Sequence, residues 1–338
     1  MDIKEAIAKF LDQDEISQEE MFDVMNQIMS GDATPAQIGA FLIALRCKGE
    51  TVEEIAGAAQ VMRDKAVKIN HPHASVVDTC GTGGDSSGTF NISTTAAFIS
   101  AGAGMMVAKH GNRSVSSKAG SADLLKELGV NIEADVGKVE KCLDKVGIAF
   151  LYAPMMHSAM KHAIGPRREI GVRTIFNLLG PLTNPAGAKH QVVGVYADQL
   201  TEPVAKVFQR LGSEHVFVVH GSDGLDEVTM TGLTKVSELK GGEVKTWNLD
   251  PKKYGFSYCK PEDLKGGTPS ENAEITLKIL RGAGGEGPMR DTVLLNSALA
   301  IVAGGGAKNI EDGVAMANKS IDSGSALRKL EELKEASL

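Results

Sequence analysis

The sequence predicts an α/β protein: a small all-helical domain, discontinuous in sequence, and a large α/β domain with a central, mostly parallel sheet. Three observations carry this. Residues 1 to about 70 show helical periodicity and helix caps without a strand-like run. From Ser75 onward, short apolar runs closed by glycines alternate with helical stretches, the pattern of repeated βα units. The length, 338 residues, exceeds what a single hydrophobic core ordinarily holds.

In chain order, Ile3, Ile7, Phe10 and Leu11 fall on one helical face. Ser17 with Glu20 and Thr51 with Glu54 read as capping boxes, and Pro35 after Thr34 occupies a first helical turn. The Thr51 helix runs toward Val67 and is broken by Asn70-His71-Pro72-His73. Strands are expected at 75–78, 105–108, 147–151, 191–196 and 215–220, with a helix at 122–128. A helical, arginine-bearing stretch at about 154 to 180 is expected to pack back on the first helices. The expected domains are therefore 1–70 with a returning segment of about 154–185, and 74–153 with 186–338. Helices at 292–303 and 310–321, parted by Gly304-Gly305-Gly306, belong to the last third.

The composition, 42% hydrophobic and 23% charged, is that of a globular chain able to bury a large core. A formal net charge of −7, from 36 basic and 43 acidic residues, argues against broad contact with nucleic acid or an anionic membrane. Cys47, Cys80, Cys142 and Cys259 are scattered with no CxxC pair, which suits free thiols in a reducing compartment. The charged start and the absence of a run of about 18 apolar residues speak against export or membrane spanning, so a cytoplasmic location is expected.

The most informative stretch is Asp78-Thr79-Cys80-Gly81-Thr82-Gly83-Gly84-Asp85, which leaves a predicted strand and reaches a helix start at Asn91-Ile92-Ser93-Thr94. Glycines there let amides converge on an anion and the helix end adds partial positive charge, so a phosphate fits. A tight turn at a strand end is the plain alternative. The loop lacks the Gly-Lys-Ser/Thr of a nucleotide-hydrolysing P-loop, and Gly102-Ala103-Gly104 precedes a strand where a dinucleotide fingerprint follows one. Lys109-His110-Gly111-Asn112-Arg113 lies directly after the next predicted strand. Ligands of open α/β sheets bind beyond the carboxyl ends of strands, so the two polar loops can face one crevice.

Asp226 and Glu227, on the glycine-bent loop 221–228, are hard oxygen donors suited to Mg²⁺ that also takes substrate phosphates. Arg167, Arg168 and Arg173 offer forks for a planar carboxylate or, equally, ion pairs at a domain interface. The histidines show no metal-ligand spacing beyond His71-x-His73, and His157 stands out by preceding the arginine stretch.

In their order and contexts, Gly81-Thr82-Gly83-Gly84-Asp85, Asn91-Ile92-Ser93-Thr94, Lys109-His110-Gly111-Asn112-Arg113, the stretch from Arg173-Thr174-Ile175-Phe176-Asn177 to Asn184-Pro185, and Asp226-Glu227 resemble the anthranilate phosphoribosyltransferase family. The resemblance covers nearly the whole chain. It implies a helical domain hinged to an α/β domain, a homodimer through the helical domain, and a role in tryptophan biosynthesis. The implied reaction moves the phosphoribosyl group of 5-phosphoribosyl 1-diphosphate to the amine of anthranilate.

By the same resemblance, Gly81, Thr82, Gly83, Gly84, Asp85, Thr89, Asn91, Ile92, Ser93, Thr94, Lys109, Gly111, Asn112, Arg113, Ser117 and Ser121 bind the diphosphate substrate. Gly81, His110, Asn112, His157 and Arg167 line the anthranilate site, and Ser93, Asp226 and Glu227 hold Mg²⁺, two ions per subunit. No general base is expected, because an aniline nitrogen is already neutral near neutral pH; Lys109 and Mg²⁺ stabilise charge. The nearest alternative is a pyrimidine nucleoside phosphorylase, which has a similar Lys-His-Gly-Asn-Arg stretch. A non-catalytic nucleic-acid-binding relative is disfavoured by the net charge of −7 and the intact Asp226-Glu227 pair.

Overall fold

The computed structural model describes residues 1–85, 87–113, 118–283 and 286–338. Four helices open it: α1 (Ile3–Leu11), α2 (Gln18–Ser30), α3 (Pro35–Lys48) and α4 (Val52–Lys65). Each starts at a capping box, in which Asp2, Ser17, Thr34 or Thr51 accepts from the amide of Glu5, Glu20, Gln37 or Glu54 and that residue's side chain returns the bond. Two otherwise orphaned helix donors are thereby satisfied at every start. Glu54 also accepts from the Ile16 amide at 3.1 Å and pairs with Lys48 at 2.9 Å, which compensates its buried charge.

The next part alternates β1 (Val77–Gly81), α5 (Ile92–Gly102), β2 (Val107–Gly111), α6 (Ser121–Glu127), α7 (Val136–Lys141) and β3 (Ile148–Tyr152). The returning segment is three short helices, α8 (Ala153–Met156), α9 (Lys161–Ile170) and α10 (Phe176–Leu179). Then follow β4 (His190–Gly194), α11 (Thr201–Arg210), β5 (His215–Gly221), β6 (Thr234–Lys240) and β7 (Glu243–Leu249). The described chain ends with α12 (Pro269–Leu280), α13 (Pro288–Ala303), α14 (Ile310–Asp322) and α15 (Ser325–Ser337).

The strands form one seven-stranded sheet in the order β3-β2-β1-β4-β5-β6-β7. β1 to β5 are parallel and β6 and β7 are antiparallel. The chain builds outward from β1 to β3, then crosses back to lay β4 on the other side of β1. Such a switch in strand order opens a crevice at the carboxyl ends of β1 and β4.

The apolar core of the first four helices, with Phe10, Met21, Ile28 and Phe41, continues into Ala163, Phe176 and Leu182 of the returning segment. It runs on into Val193 and Val218 on the sheet and Phe208 of α11. Arg63 of α4 ties the junction: its guanidinium donates to the carbonyls of Leu182 at 2.6 Å and Leu211 at 3.1 Å, and burial lowers its pKa to about 10.

Two strands sit later than the apolar runs suggest. β1 and β2 extend to Gly81 and Gly111, so Lys109 and His110 belong to β2 itself and not to the loop after it. A buried parallel strand tolerates them because partners on neighbouring elements satisfy both side chains. The hairpin β6-β7 and helices α11, α12 and α15 are additions to the expected elements, and α13 begins at Pro288, a turn earlier than expected.

Candidate functional site

The glycine loop leaves β1 at the switch point and is stitched to β4: the Thr82 amide donates to the Gly194 carbonyl at 2.9 Å, and Thr82 Oγ1 accepts from the Tyr196 amide at 3.1 Å. Gly83 and Gly84 have φ of 65° and 77°, a backbone that non-glycine residues rarely adopt. The Gly83 amide donates to Asp226 Oδ2 at 2.8 Å, and the Gly84 carbonyl accepts from Arg173, whose guanidinium stacks 4.5 Å from the Tyr196 ring. At the start of α5 the Ser93 amide donates to Glu227 Oε1 at 3.1 Å. Asn91, the residue before α5, is held on both sides, donating to the Ala119 carbonyl and accepting from Asn272 of α12 at 2.9 Å.

Asp226 reaches the loop because two glycines leave space for it. A Cβ on Gly81 would come 2.5 Å from Asp226 Oδ2, and a Cβ on Gly194 would fall inside the Asp226 carbonyl. Burial raises the Asp226 carboxyl well above the usual range, with Asp85 and Glu227 adding like charge. Glu227 is raised too, by burial first, while Lys109 and Ser93 pull it back.

Behind the loop lies a buried polar network. Lys109 donates to the Thr79 carbonyl and lies 3.5 Å from Ser93 Oγ. Asp78 accepts from the His110 amide at 3.1 Å and from Asn184 Nδ2 at 2.8 Å; the same Nδ2 also donates to the Ala108 carbonyl at 2.8 Å. Burial pushes Asp78 up and Lys109 down, and each charge opposes the other's shift. Asp78 thus holds the backbone of His110 directly and acts on the ammonium of Lys109 through charge alone.

On the far side of β2, His110 and His157 are both buried, with Nε2 atoms 3.2 Å apart, and His110 Nδ1 lies 3.2 Å from the Gly180 carbonyl. Burial lowers their pKa values to about 3 and about 4, so both rings are neutral. Arg167 of α9 is half-buried over the Phe176 ring at 4.9 Å, and burial lowers its pKa. Among the described residues it has no ion pair, whereas the neighbouring Arg168 is exposed.

Not every expected residue converges on the loop. Arg113 turns away, donating from Nε to the Tyr152 hydroxyl at 3.0 Å with Asp123 at 3.8 Å. Gly111 ends β2 against Ser121, whose hydroxyl donates to the Asn112 carbonyl at 3.2 Å, while Asn112 Oδ1 accepts from the Arg113 amide at 2.7 Å. Ile92 and Thr94 are buried in the core, and Thr89 forms a backbone bridge with Lys265. Ser117 lies outside the described residues.

Asp78, Asn184, Asn272, Arg173 and Tyr196 position the loop or its neighbours without having been singled out for it. The available signal was an acid inside an otherwise apolar strand run, Val76-Val77-Asp78. Asn272, in an ordinary helix, carried none.

Asp226, Glu227 and Ser93 offer hard oxygens at one place, and two adjacent carboxylates held in partial burial at raised pKa gain from a divalent cation. Among the described residues no group of three His, Cys, Asp or Glu forms a cage, which accords with an ion that takes part of its shell from phosphate and water. The residues fit the ion.

A helical bundle packed on a mostly parallel sheet, with a glycine loop at its switch point, is the architecture of a glycosyl transferase. The helical bundle domain of the glycosyl transferase family matches residues 4–66, and that family's a/b domain matches residues 73–327. The anthranilate phosphoribosyltransferase of Pelotomaculum thermopropionicum is 56% identical over 333 residues, 98% of this chain and 96% of the relative; that of Acetivibrio thermocellus is 54% identical with the same coverage. The crystal structure of the Thermus thermophilus enzyme superposes with a TM-score of 0.93 at 40% identity, covering 98% of both chains. The Saccharomyces cerevisiae enzyme in complex with PRPP and Mg superposes with a TM-score of 0.90 at 31% identity, covering 99% of this chain and 97% of the other. The chain belongs to the anthranilate phosphoribosyltransferase family.

Proposed function

We propose that this chain transfers the 5-phosphoribosyl group of 5-phosphoribosyl 1-diphosphate to the amine of anthranilate, in tryptophan biosynthesis. The observation that carries the proposal is two recognition surfaces joined by consecutive residues. Lys109 and the amides of Gly83 and Ser93 suit an anion, while His110 meets His157 on the other face of the strand, and Arg167, over Phe176, is a half-buried guanidinium without an ion pair among the described residues.

In this proposal the backbone of residues 81–85, with Asn91, Ser93, Thr94, Lys109 and Asn112, binds the donor. Arg167 receives the anthranilate carboxylate, with Gly81, His110, Asn112 and His157 about its ring. The aniline lone pair forms the new C–N bond as the bond from the anomeric carbon to diphosphate oxygen breaks, with inversion, and the nitrogen's extra proton passes to solvent. Lys109 faces the growing negative charge, and neutral His110 and His157 exclude water without serving as bases. Ser93, Asp226 and Glu227 hold Mg²⁺, two ions per subunit, which when bound offsets charge on the leaving diphosphate.

The domain division at about 70, with 154–185 returning, provides a hinge for closure. A homodimer through the helical bundle is supported by Leu11 and Ile43, apolar side chains that are 69% and 38% exposed on α1 and α3. A cytoplasmic location accords with four cysteines that form no disulfide, and no described helix is long and apolar enough to cross a membrane.

The test is loss of anthranilate fluorescence on mixing protein, 5-phosphoribosyl 1-diphosphate and Mg²⁺, with EDTA as control. Loss that requires donor and metal is the expected result. No loss at micromolar protein, with phosphorolysis of pyrimidine nucleosides instead, would overturn it.

A further inference from the structure

We propose that Asp226 and Glu227 are specificity-determining residues that exclude anions arriving without metal, because their carboxylates occupy the backbone donors intended for the diphosphate. Asp226 Oδ2 takes the Gly83 amide at 2.8 Å, and Glu227 Oε1 takes the Ser93 amide at 3.1 Å. These donors, one in the glycine loop and one in the first turn of α5, are where a phosphate oxygen gains most from backbone dipoles. The Thr82 amide is already committed to the Gly194 carbonyl.

The chain is shaped to bring the carboxylate in. Gly81 leaves the space that Asp226 Oδ2 fills, and Gly194 leaves the space for the Asp226 carbonyl. An incoming metal-free diphosphate must displace both carboxyl groups from the amides they occupy and meet the negative charge the pair carries. A metal-bound diphosphate meets no such barrier, since the carboxylates that turn to the cation free both amides. The same two side chains therefore penalise the free anion and reward its metal complex.

This inference rests on the proposal that Asp226 and Glu227 are Mg²⁺ ligands, and one calorimetric experiment separates the two. Inorganic diphosphate is titrated into wild type, Asp226→Asn, Glu227→Gln and Asp198→Asn, in EDTA and in Mg²⁺. Asp198 is 65% exposed at the side chain beyond β4 and gives the same charge change without facing either amide. In EDTA the first two variants should bind diphosphate about tenfold or more tighter than wild type, because the amide oxygen of Asn or Gln carries no charge and gives up the backbone donor more readily, with Asp198→Asn unchanged. In Mg²⁺ the order should reverse.

No tightening in EDTA, or equal tightening in Asp198→Asn, would overturn the inference. Variants that bind metal-loaded diphosphate as well as wild type would overturn the ligand assignment instead. A second measurement needs no variant: Mg²⁺ alone should speed hydrogen exchange at the Gly83 and Ser93 amides of wild type, and slower or unchanged exchange would refute the exclusion.

Discussion

His110 and His157 share one proton between Nε2 atoms 3.2 Å apart, and their surroundings set its position. The Gly180 carbonyl can only accept, so His110 Nδ1 carries hydrogen, its Nε2 is bare, and His157 Nε2 must be the donor. Each ring titrates well below the ordinary histidine value, near 3 and near 4, because burial disfavours the cation.

A depressed histidine pKa has a defined linkage. The folded state gives up no stability above the unfolded pKa of about 6.5, and stability falls as pH drops from there toward the folded value, because only the unfolded chain takes up the proton. Buried carboxyls with raised pKa, such as Asp78, act in the opposite sense, so the informative quantity is a difference between proteins. His157→Asn keeps a donor for His110 but removes the titrating ring. Its stability deficit in urea should shrink by about 1 to 2 kcal/mol between pH 7.5 and pH 5. A deficit constant across that range would mean that His157 titrates in the folded protein as it does in the unfolded chain, and a deficit that grows toward pH 5 would mean that the folded ring is charged.

Lys109 and Asp78 make a second prediction, in which structure and chemistry separate. Lys109→Met removes the cation that opposes the burial of Asp78 and should cost about 3 to 5 kcal/mol of stability, the scale of leaving a buried charge uncompensated. Adding Asp78→Asn removes the stranded charge and should recover much of that loss. Turnover should stay about a hundredfold or more below wild type in both proteins, since neither carries the cation facing the leaving group. Recovery of kcat along with stability would assign Lys109 a structural role only.

How much was legible in the sequence depended on whether a residue's role is local. Helix caps are local, so Ser17 with Glu20 and Thr51 with Glu54 mark helix starts where the structure has them. Buried parallel strands read as apolar runs, which is why β3 and β5 stand out. The hairpin Thr234–Leu249 instead scatters Val236, Leu239, Val244, Trp247 and Leu249 singly among polar residues without a regular period, and its mark is Gly241-Gly242 at left-handed φ of 58° and 79°. Lys109 and His110 look like loop residues because their side chains are satisfied by the carbonyls of Thr79 and Gly180, 30 and 70 positions away. The Asn184 and Asn272 amides are satisfied across 106 and 181 residues, a separation at which no periodicity survives.

Gly194 offers a third test. The loop after β5 crosses so close to the end of β4 that any side chain at 194 must push the Asp226 carbonyl outward. Gly194→Ala should therefore act on the metal site through the backbone. The Mg²⁺ concentration for half-maximal rate should rise about tenfold or more, alongside an overpacking cost of about 1 to 3 kcal/mol. An unchanged magnesium titration would show that the position of Asp226 is immaterial to the ion.

Arg167 and Arg168 are adjacent, yet the structure separates them. Arg167 is half-buried against Phe176 with no ion pair among the described residues, and Arg168 is exposed. A planar guanidinium held against a ring and stripped of water binds a carboxylate in two-pronged fashion, which lysine cannot copy. Arg167→Ala and Arg167→Lys should each raise the KM for anthranilate about tenfold or more, with the KM for 5-phosphoribosyl 1-diphosphate within about twofold of wild type. Arg168→Ala should leave both within about twofold, as surface substitutions usually do. Steady-state kinetics with each substrate varied in turn decides the matter: an equal rise in both KM values for Arg167→Ala would make that arginine part of the domain packing, and a rise confined to Arg168→Ala would move the carboxylate to its neighbour.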